Sequence, residues 1–100
     1  MTLRHHSIEP VHPGEILVDV FKTLKAETGL TKADFTKAFG VTRPTVHKLM
    51  TREAALSPEM ALRMEQVIGG DADTFLAMQA DYDLWHARQR YSAKLKRIAA

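Results

Sequence analysis

The stretch KADFTKAFGVTRPTVHKL, residues 32–49, decides the fold. Apolar residues recur in it at the spacing that buries one face of each of two short helices: Phe35, Phe39, Val41, Val46 and Leu49. Gly40 falls between the helices, where a left-handed backbone costs a residue with a Cβ about 1 kcal/mol or more. Two short helices joined by so tight a turn are typical of a helix-turn-helix. The sequence predicts one over residues 31–50.

Helix start and stop signals on either side predict three more helices. The first runs from about Pro13 to Gly29, and the fourth begins at Ser57 and ends at Gly69. The fourth should bury Ala61, Leu62, Met64 and Val67. The fifth is predicted over residues 71–98, with apolar residues continuing through Tyr91, Leu95 and Ile98. We therefore predict an all-α domain of five helices with an extended C-terminal helix.

Residues 1–11 are predicted to form a flexible N-terminal arm, and residues 12–100 a single domain. Of the five histidines, His5, His6 and His12 are assigned to this flexible end, so no metal-ligand spacing emerges. The chain has no cysteine, and its first residues lack the apolar run of a secretory signal. We expect a cytoplasmic protein without a metal or cofactor.

Charge is divided into blocks along the chain although the formal net charge is only +2. Residues 21–56 are net basic, residues 57–87 are acidic, and the residues beyond carry cations without any acid. A basic block within a folded segment is expected of a phosphate-binding surface, because each neutralised phosphate releases condensed counterions. Taken alone, such a block is more often an ordinary solvated face, so the helix-turn-helix pattern carries the prediction of DNA binding.

Once its buried positions are subtracted, the third helix leaves five side chains that must point outward. These are predicted to read bases: Arg43, Pro44, Thr45, His47 and Lys48. Three residues at the flanks are predicted to bind phosphates: Lys32, Thr42 and Arg52. In the fifth helix, Tyr82 and Trp85 lie on one stripe and are predicted to form a homodimer interface. No serine has a recognisable base and orienting acid beside it, so we do not predict an enzyme.

Three separated motifs resemble the HigA antitoxins, bacterial proteins with a Cro/repressor-type helix-turn-helix. Residues 12–17 read HPGEIL, residues 57–63 read SPEMALR, and residues 79–85 read QADYDLW, each similar to a segment of that family in the same order. One departure lies within the helix-turn-helix. Thr36 stands where such motifs most often have alanine, and we expect its hydroxyl to bond its own helix backbone.

This resemblance implies an antitoxin that neutralises a HigB-like, messenger-RNA-cleaving toxin and represses its own operon as a homodimer on operator DNA. The residues alone support only the DNA-binding part. A stand-alone phage- or metabolism-related repressor with no toxin partner remains the alternative, and an adjacent toxin gene would separate the two. Two toxin-binding surfaces stay open: the N-terminal arm, and the basic helix carrying Arg88, Arg90, Lys94 and Arg97.

Overall fold

A computed structural model describes residues 8–99, which form five α-helices and, within that range, no strand. The helices are α1 (Pro13–Thr28), α2 (Lys32–Ala38), α3 (Arg43–Met50), α4 (Pro58–Ile68) and α5 (Ala72–Arg90). The predicted all-α, five-helix class is confirmed. Most of the predicted N-terminal arm, residues 1–7, lies outside the described residues. None of the helices described is long and apolar enough to cross a membrane.

Side-chain caps begin α2 and α4. The side-chain oxygens of Thr31 and Ser57 accept hydrogen bonds from the backbone N–H groups of Asp34 and Met60, each at 3.1 Å. Helix α5 starts differently, because Asp71 makes no side-chain cap. Instead the Glu65 carboxylate, from α4, accepts the Ala72 N–H at 2.8 Å. This bond ties the start of α5 to α4.

A single core joins all five helices. Its most enclosed members come from every helix and from the α3–α4 connection: Leu17, Phe35, Phe39, Val46, Leu49, Leu56, Ala61, Met64 and Phe75. The predicted burial of Leu62 and Val67 is wrong, since these side chains are 54% and 38% exposed. Helix α4 buries the narrower stripe of Met60, Ala61 and Met64. Leu62 and Val67 fall outside that stripe and face solvent.

The start of α1 lies directly against the end of α3. A Cβ placed on Gly14 would stand 1.8 Å from the Leu49 carbonyl oxygen, far inside van der Waals contact. Only glycine allows this approach, because the atoms that a Cβ would meet belong to the Leu49 backbone and cannot move aside as a flexible side chain could. The contact sets the distance between α1 and the second helix of the helix-turn-helix.

His12 completes this junction, which corrects its assignment to a flexible end. Its side chain is 1% exposed. Nδ1 accepts the Gly14 N–H at 2.9 Å, which places the ring proton on Nε2 and lets Nε2–H donate to the Ala54 carbonyl at 3.1 Å. Burial lowers the pKa of His12, which favours this neutral form. The Glu15 carboxylate accepts the His12 N–H at 3.0 Å and closes a capping box.

The C-terminal helix is shorter than predicted. Helix α5 ends at Arg90, and residues 91–99 are not helical, whereas the sequence suggested a helix to residue 98. Tyr91, Leu95 and Ile98 are 63%, 82% and 101% exposed, so no tertiary contact supports another two turns. Most helical stability comes from packing an apolar face, and the neighbouring cations there repel one another. The apolar spacing alone therefore predicts the end of α5 incorrectly.

We expect Gly14→Ala to lower the free energy of unfolding by about 2 kcal/mol or more, because the new methyl group must push α1 away from α3. A loss of stability would be the opposite of the usual effect, because replacing glycine by alanine within a helix normally stabilises a protein by about 1 kcal/mol. Urea unfolding followed by circular dichroism measures the change.

Gly29→Ala is the matched control. Its added Cβ meets nothing within 4 Å, and it suffers only the strain of a φ of 73°. Gly14→Ala should therefore be the more damaging of the two. A Gly14→Ala protein as stable as the parent chain would contradict the close approach of α1 to α3.

Candidate nucleic-acid interface

The turn between α2 and α3 is built on Gly40, whose φ of 67° lies in the left-handed region. Phe39 on one side of it is buried, and Val41 on the other is partly buried. Arg63 of α4 forms hydrogen bonds with the backbone of this turn. Its Nη1 donates to the Phe39 carbonyl at 2.8 Å, while Nε and Nη2 donate to Glu59. Helix α4 thus fixes the angle at which α3 leaves the turn.

Thr36 does not behave as expected. Its side chain is buried, and its hydroxyl has no hydrogen-bond partner within the described part of the chain. The predicted bond to its own helix backbone is absent there, so the hydroxyl is accommodated at the centre of the motif without compensation. An unpaired buried hydroxyl costs roughly 1–3 kcal/mol.

Helix α3 presents one buried and one exposed face, as the sequence predicted. Val46 and Leu49 face the core at 0% and 2% exposure. The five predicted base-reading residues are all exposed: Arg43, Pro44, Thr45, His47 and Lys48. An α-helix with its side chains is about 10–12 Å across, which matches the roughly 12 Å width of a DNA major groove.

Four of those five side chains line one shallow cleft together with a predicted phosphate-binding residue. The cleft has a volume of about 410 Å³ and is lined by Lys32, Arg43, Pro44, His47, Lys48 and Glu53. Within it the Lys32 ammonium lies 3.0 Å from Nδ1 of His47. That contact crosses from α2 to α3. The cleft thus combines hydrogen-bond donors with the apolar ring of Pro44 and the carboxylate of Glu53.

The remaining predicted residues stand around the cleft. Thr45 is displaced toward α4, and its hydroxyl lies 2.8 Å from that of Thr42. Thr42 is exposed and does not cap α3 through its side chain. Arg52 follows α3 with a φ of 66°, and its Nη1 lies 3.8 Å from a Glu9 carboxylate oxygen.

Glu9 also contacts α5, although the sequence placed it in a flexible arm. Its second carboxylate oxygen bonds Nε2 of His86. The same carboxylate thus bridges the α3–α4 connection and the C-terminal half of α5. Residues 9–11 therefore run along the folded domain and lead into the His12 cap.

The two predicted dimer residues occupy different environments. The Tyr82 ring meets the His12 ring edge-on, with centroids 4.8 Å apart, so within this chain it covers the buried histidine. Trp85 lies one turn further along, against His86, and its buried indole N–H has no partner among the described residues. Tyr82 thus serves the chain's own packing, whereas Trp85 keeps an unused donor.

Sequence reasoning missed the polar residues that brace the reading helix. Besides His12 and Arg63, Gln79 of α5 is 5% exposed, and its side-chain oxygen accepts the Leu56 N–H at 2.9 Å. A glutamine among apolar neighbours in a helix gave the only signal, and long-range backbone partners cannot be read from spacing. Within the described residues, no group of three metal-ligating side chains occurs.

Fold and exposed helix together define a helix-turn-helix domain of the repressor type. No protein-family model matches the chain. It is 30% identical over 95 residues to antitoxin HigA-1 of Vibrio cholerae, an alignment that covers 94% of this chain and 86% of that protein. On this evidence the chain belongs to the HigA antitoxin family, as its three motifs predicted.

Solved structures of similar proteins have the same fold. Antitoxin GraA superposes with a TM-score of 0.70 at 34% identity, over 83% of this chain and 86% of that one. PA4674 of Pseudomonas aeruginosa, solved in complex with its 18-base-pair operator DNA, gives 0.67 at 31% identity, over 81% and 82% of the two chains. These relatives are antitoxins and a DNA-binding protein rather than enzymes, in agreement with the sequence prediction.

Proposed function

We propose that this protein is an antitoxin that binds operator DNA through α3, represses its own operon and neutralises a HigB-like, messenger-RNA-cleaving toxin. The observation that carries the DNA-binding part is the exposed face of α3, where Arg43 and Lys48 share one cleft with Lys32. Membership of the HigA family supports the antitoxin part. The operator complex of PA4674 supports a role for operator DNA.

Each exposed residue of α3 has a chemistry suited to the groove. The Arg43 fork, at the start of the helix, can donate two hydrogen bonds to O6 and N7 of a guanine, worth about 1–3 kcal/mol of discrimination. Lys48 can donate to a neighbouring base. Pro44 and the Thr45 methyl group can contact a thymine methyl, and His47 can donate through Nε2. Lys32, Thr42 and Arg52 are assigned to flanking phosphates, which position the helix without reading sequence.

We expect Arg43→Ala and Lys48→Ala each to weaken binding to a duplex selected from a random pool by the unaltered protein, with little effect on a scrambled duplex. The physical reason is that removing a hydrogen bond to a base edge reduces discrimination by about tenfold or more. Lys32→Ala and Arg52→Ala should instead weaken both duplexes alike and reduce the salt slope by about 0.9 for each phosphate that is no longer neutralised. Fluorescence anisotropy across a salt series measures both quantities.

Lys22→Ala, on the exposed surface of α1, is the matched control, because it removes the same charge outside the cleft. Selected-duplex binding unchanged in a folded Arg43→Ala protein would overturn the assignment of α3 as the reading helix.

Homodimerisation is the second element of the proposal, because one short helix contacts too few base pairs for operator specificity and repressors of this type pair two half-sites. Tyr82 and Trp85 are the interface residues proposed. Trp85 is only partly buried within this chain, and the neighbouring Leu84 is 47% exposed, so this part of α5 presents apolar surface to a partner. Tyr82, which also packs on His12 within the chain, would be the second interface residue.

We expect Trp85→Ala to weaken the dimer by about tenfold or more, the scale of a buried tryptophan at an interface. Sedimentation velocity over a concentration series gives the dissociation constant, and circular dichroism checks folding. Leu62→Ala, at an exposed apolar site on α4, should leave the dimer unchanged. An equally tight dimer of folded Trp85→Ala, or a failure of that variant to fold, would place Trp85 in the chain's own core.

Toxin binding needs a surface apart from α3 if the antitoxin is to hold DNA and toxin separately. An interface of standard size takes about 800 Å² from each partner, far more than the outward face of an 8-residue helix leaves free beside DNA. The N-terminal residues and the C-terminal basic segment remain the two ends at which such a surface is proposed.

We expect co-expression with the toxin encoded beside its gene to restore growth, and Arg43→Ala to restore it equally while failing to repress. The reason is that Arg43 lies in the DNA-reading cleft. Growth and a promoter-fusion reporter measure the two activities, and removal of residues 1–10 or 91–100 tests the two ends. If folded Arg43→Ala fails to protect cells, toxin and DNA share a surface and the proposed division is wrong.

A further inference from the structure

The last part of the chain is a dense run of positive charge. Five cations lie between residues 88 and 97, and no acidic residue follows Asp83: Arg88, Arg90, Lys94, Lys96 and Arg97. None of the five forms an ion pair with a carboxylate of the described residues. The fold of residues 8–99 therefore leaves this charge uncompensated.

Structure turns this run into an exposed tail. Helix α5 ends at Arg90, Tyr91 adopts an extended backbone, and every residue from 91 to 99 is exposed. Leu95 and Ile98 are 82% and 101% exposed, so neither side chain packs against the domain. The tail displays its cations to solvent along its whole length.

The tail leaves the domain beside the reading helix. His86 of α5 bonds Glu9, and the same carboxylate lies 3.8 Å from Arg52, directly after α3. Arg88 and Arg90 follow His86 by about half a turn and one turn of helix, respectively. The acids at the start of α5, Asp71 and Asp73, lie about 25 Å away along the helix axis. Positive charge is thus collected at the end of α5 that adjoins the proposed DNA-binding surface.

We propose that residues 88–97 bind the phosphate backbone of duplex DNA next to the base pairs read by α3. The proposal rests on the DNA-binding function proposed above and adds a second, sequence-independent contact to it. Lys94, Lys96 and Arg97 lie within four consecutive residues and are all exposed, so their side chains can reach phosphates of one DNA segment. Each phosphate neutralised releases counterions, which provides the affinity.

A triple variant, Lys94→Gln with Lys96→Gln and Arg97→Gln, tests the proposal in the full chain. Binding to the selected duplex and to a scrambled duplex of equal length is measured by fluorescence anisotropy from 50 to 500 mM salt. We expect both affinities to fall by the same factor, about tenfold or more at the lowest salt, and the salt slope to decrease by about 0.9 for each phosphate that the variant no longer neutralises. The ratio between the duplexes should stay constant.

Leu95→Gln with Ile98→Gln is the matched control, because it alters the same tail without changing its charge. This variant should bind both duplexes like the parent chain, and the triple variant should still dimerise. An unchanged salt slope in the triple variant overturns the proposal while DNA binding by α3 stands. Failure of the triple variant to dimerise or to protect cells, with its DNA binding intact, overturns the proposal in favour of a protein partner. Failure of the parent chain to bind either duplex would refute the proposed function itself.

Discussion

The rest of the structure depends on the contact between the start of α1 and the end of α3, where Gly14 has no side chain and His12 fills the space beside it. The backbone of α1 reaches the Leu49 carbonyl at a distance that any Cβ would block. The His12 ring then spans from the Gly14 N–H to the Ala54 carbonyl. Three backbone segments are thereby held together by one glycine and one neutral imidazole. Because α3 is so short, this junction fixes the orientation of its whole exposed face.

Two further polar contacts constrain α3 from other directions. Arg63 holds the turn at its start through the Phe39 carbonyl, and Gln79 holds the connection after its end through the Leu56 N–H. Both side chains come from the helices that follow the motif. A helix-turn-helix of two short helices would be marginal alone, since isolated helices below about 12 residues are unstable in water. The C-terminal helices thus act as a brace that makes the reading helix rigid.

Sequence patterns predicted the parts of the molecule that local physics controls. The turn at Gly40, the caps at Thr31 and Ser57, and the burial of Val46 and Leu49 all follow from spacing and backbone preference. The roles of His12, Arg63 and Gln79 did not, because each depends on a backbone group far away in sequence. The end of α5 was misplaced for the opposite reason. Its apolar spacing continues to residue 98, but nothing in the described fold packs against it.

Most acidic and basic residues of the helices that follow α2 lie in different parts of the fold. Glu59, Glu65, Asp71 and Asp73 occupy α4 and the start of α5, while cations line the α3 cleft and follow the end of α5. Glu53, which lines the cleft, is one exception, and Glu9 is another, since its carboxylate lies between Arg52 and His86 on the basic side. Its contacts with these two groups hold the segment before His12 in place. A phosphate that approached Arg52 would compete with this carboxylate, so DNA binding at that flank would act on the same segment that leads into the His12 cap.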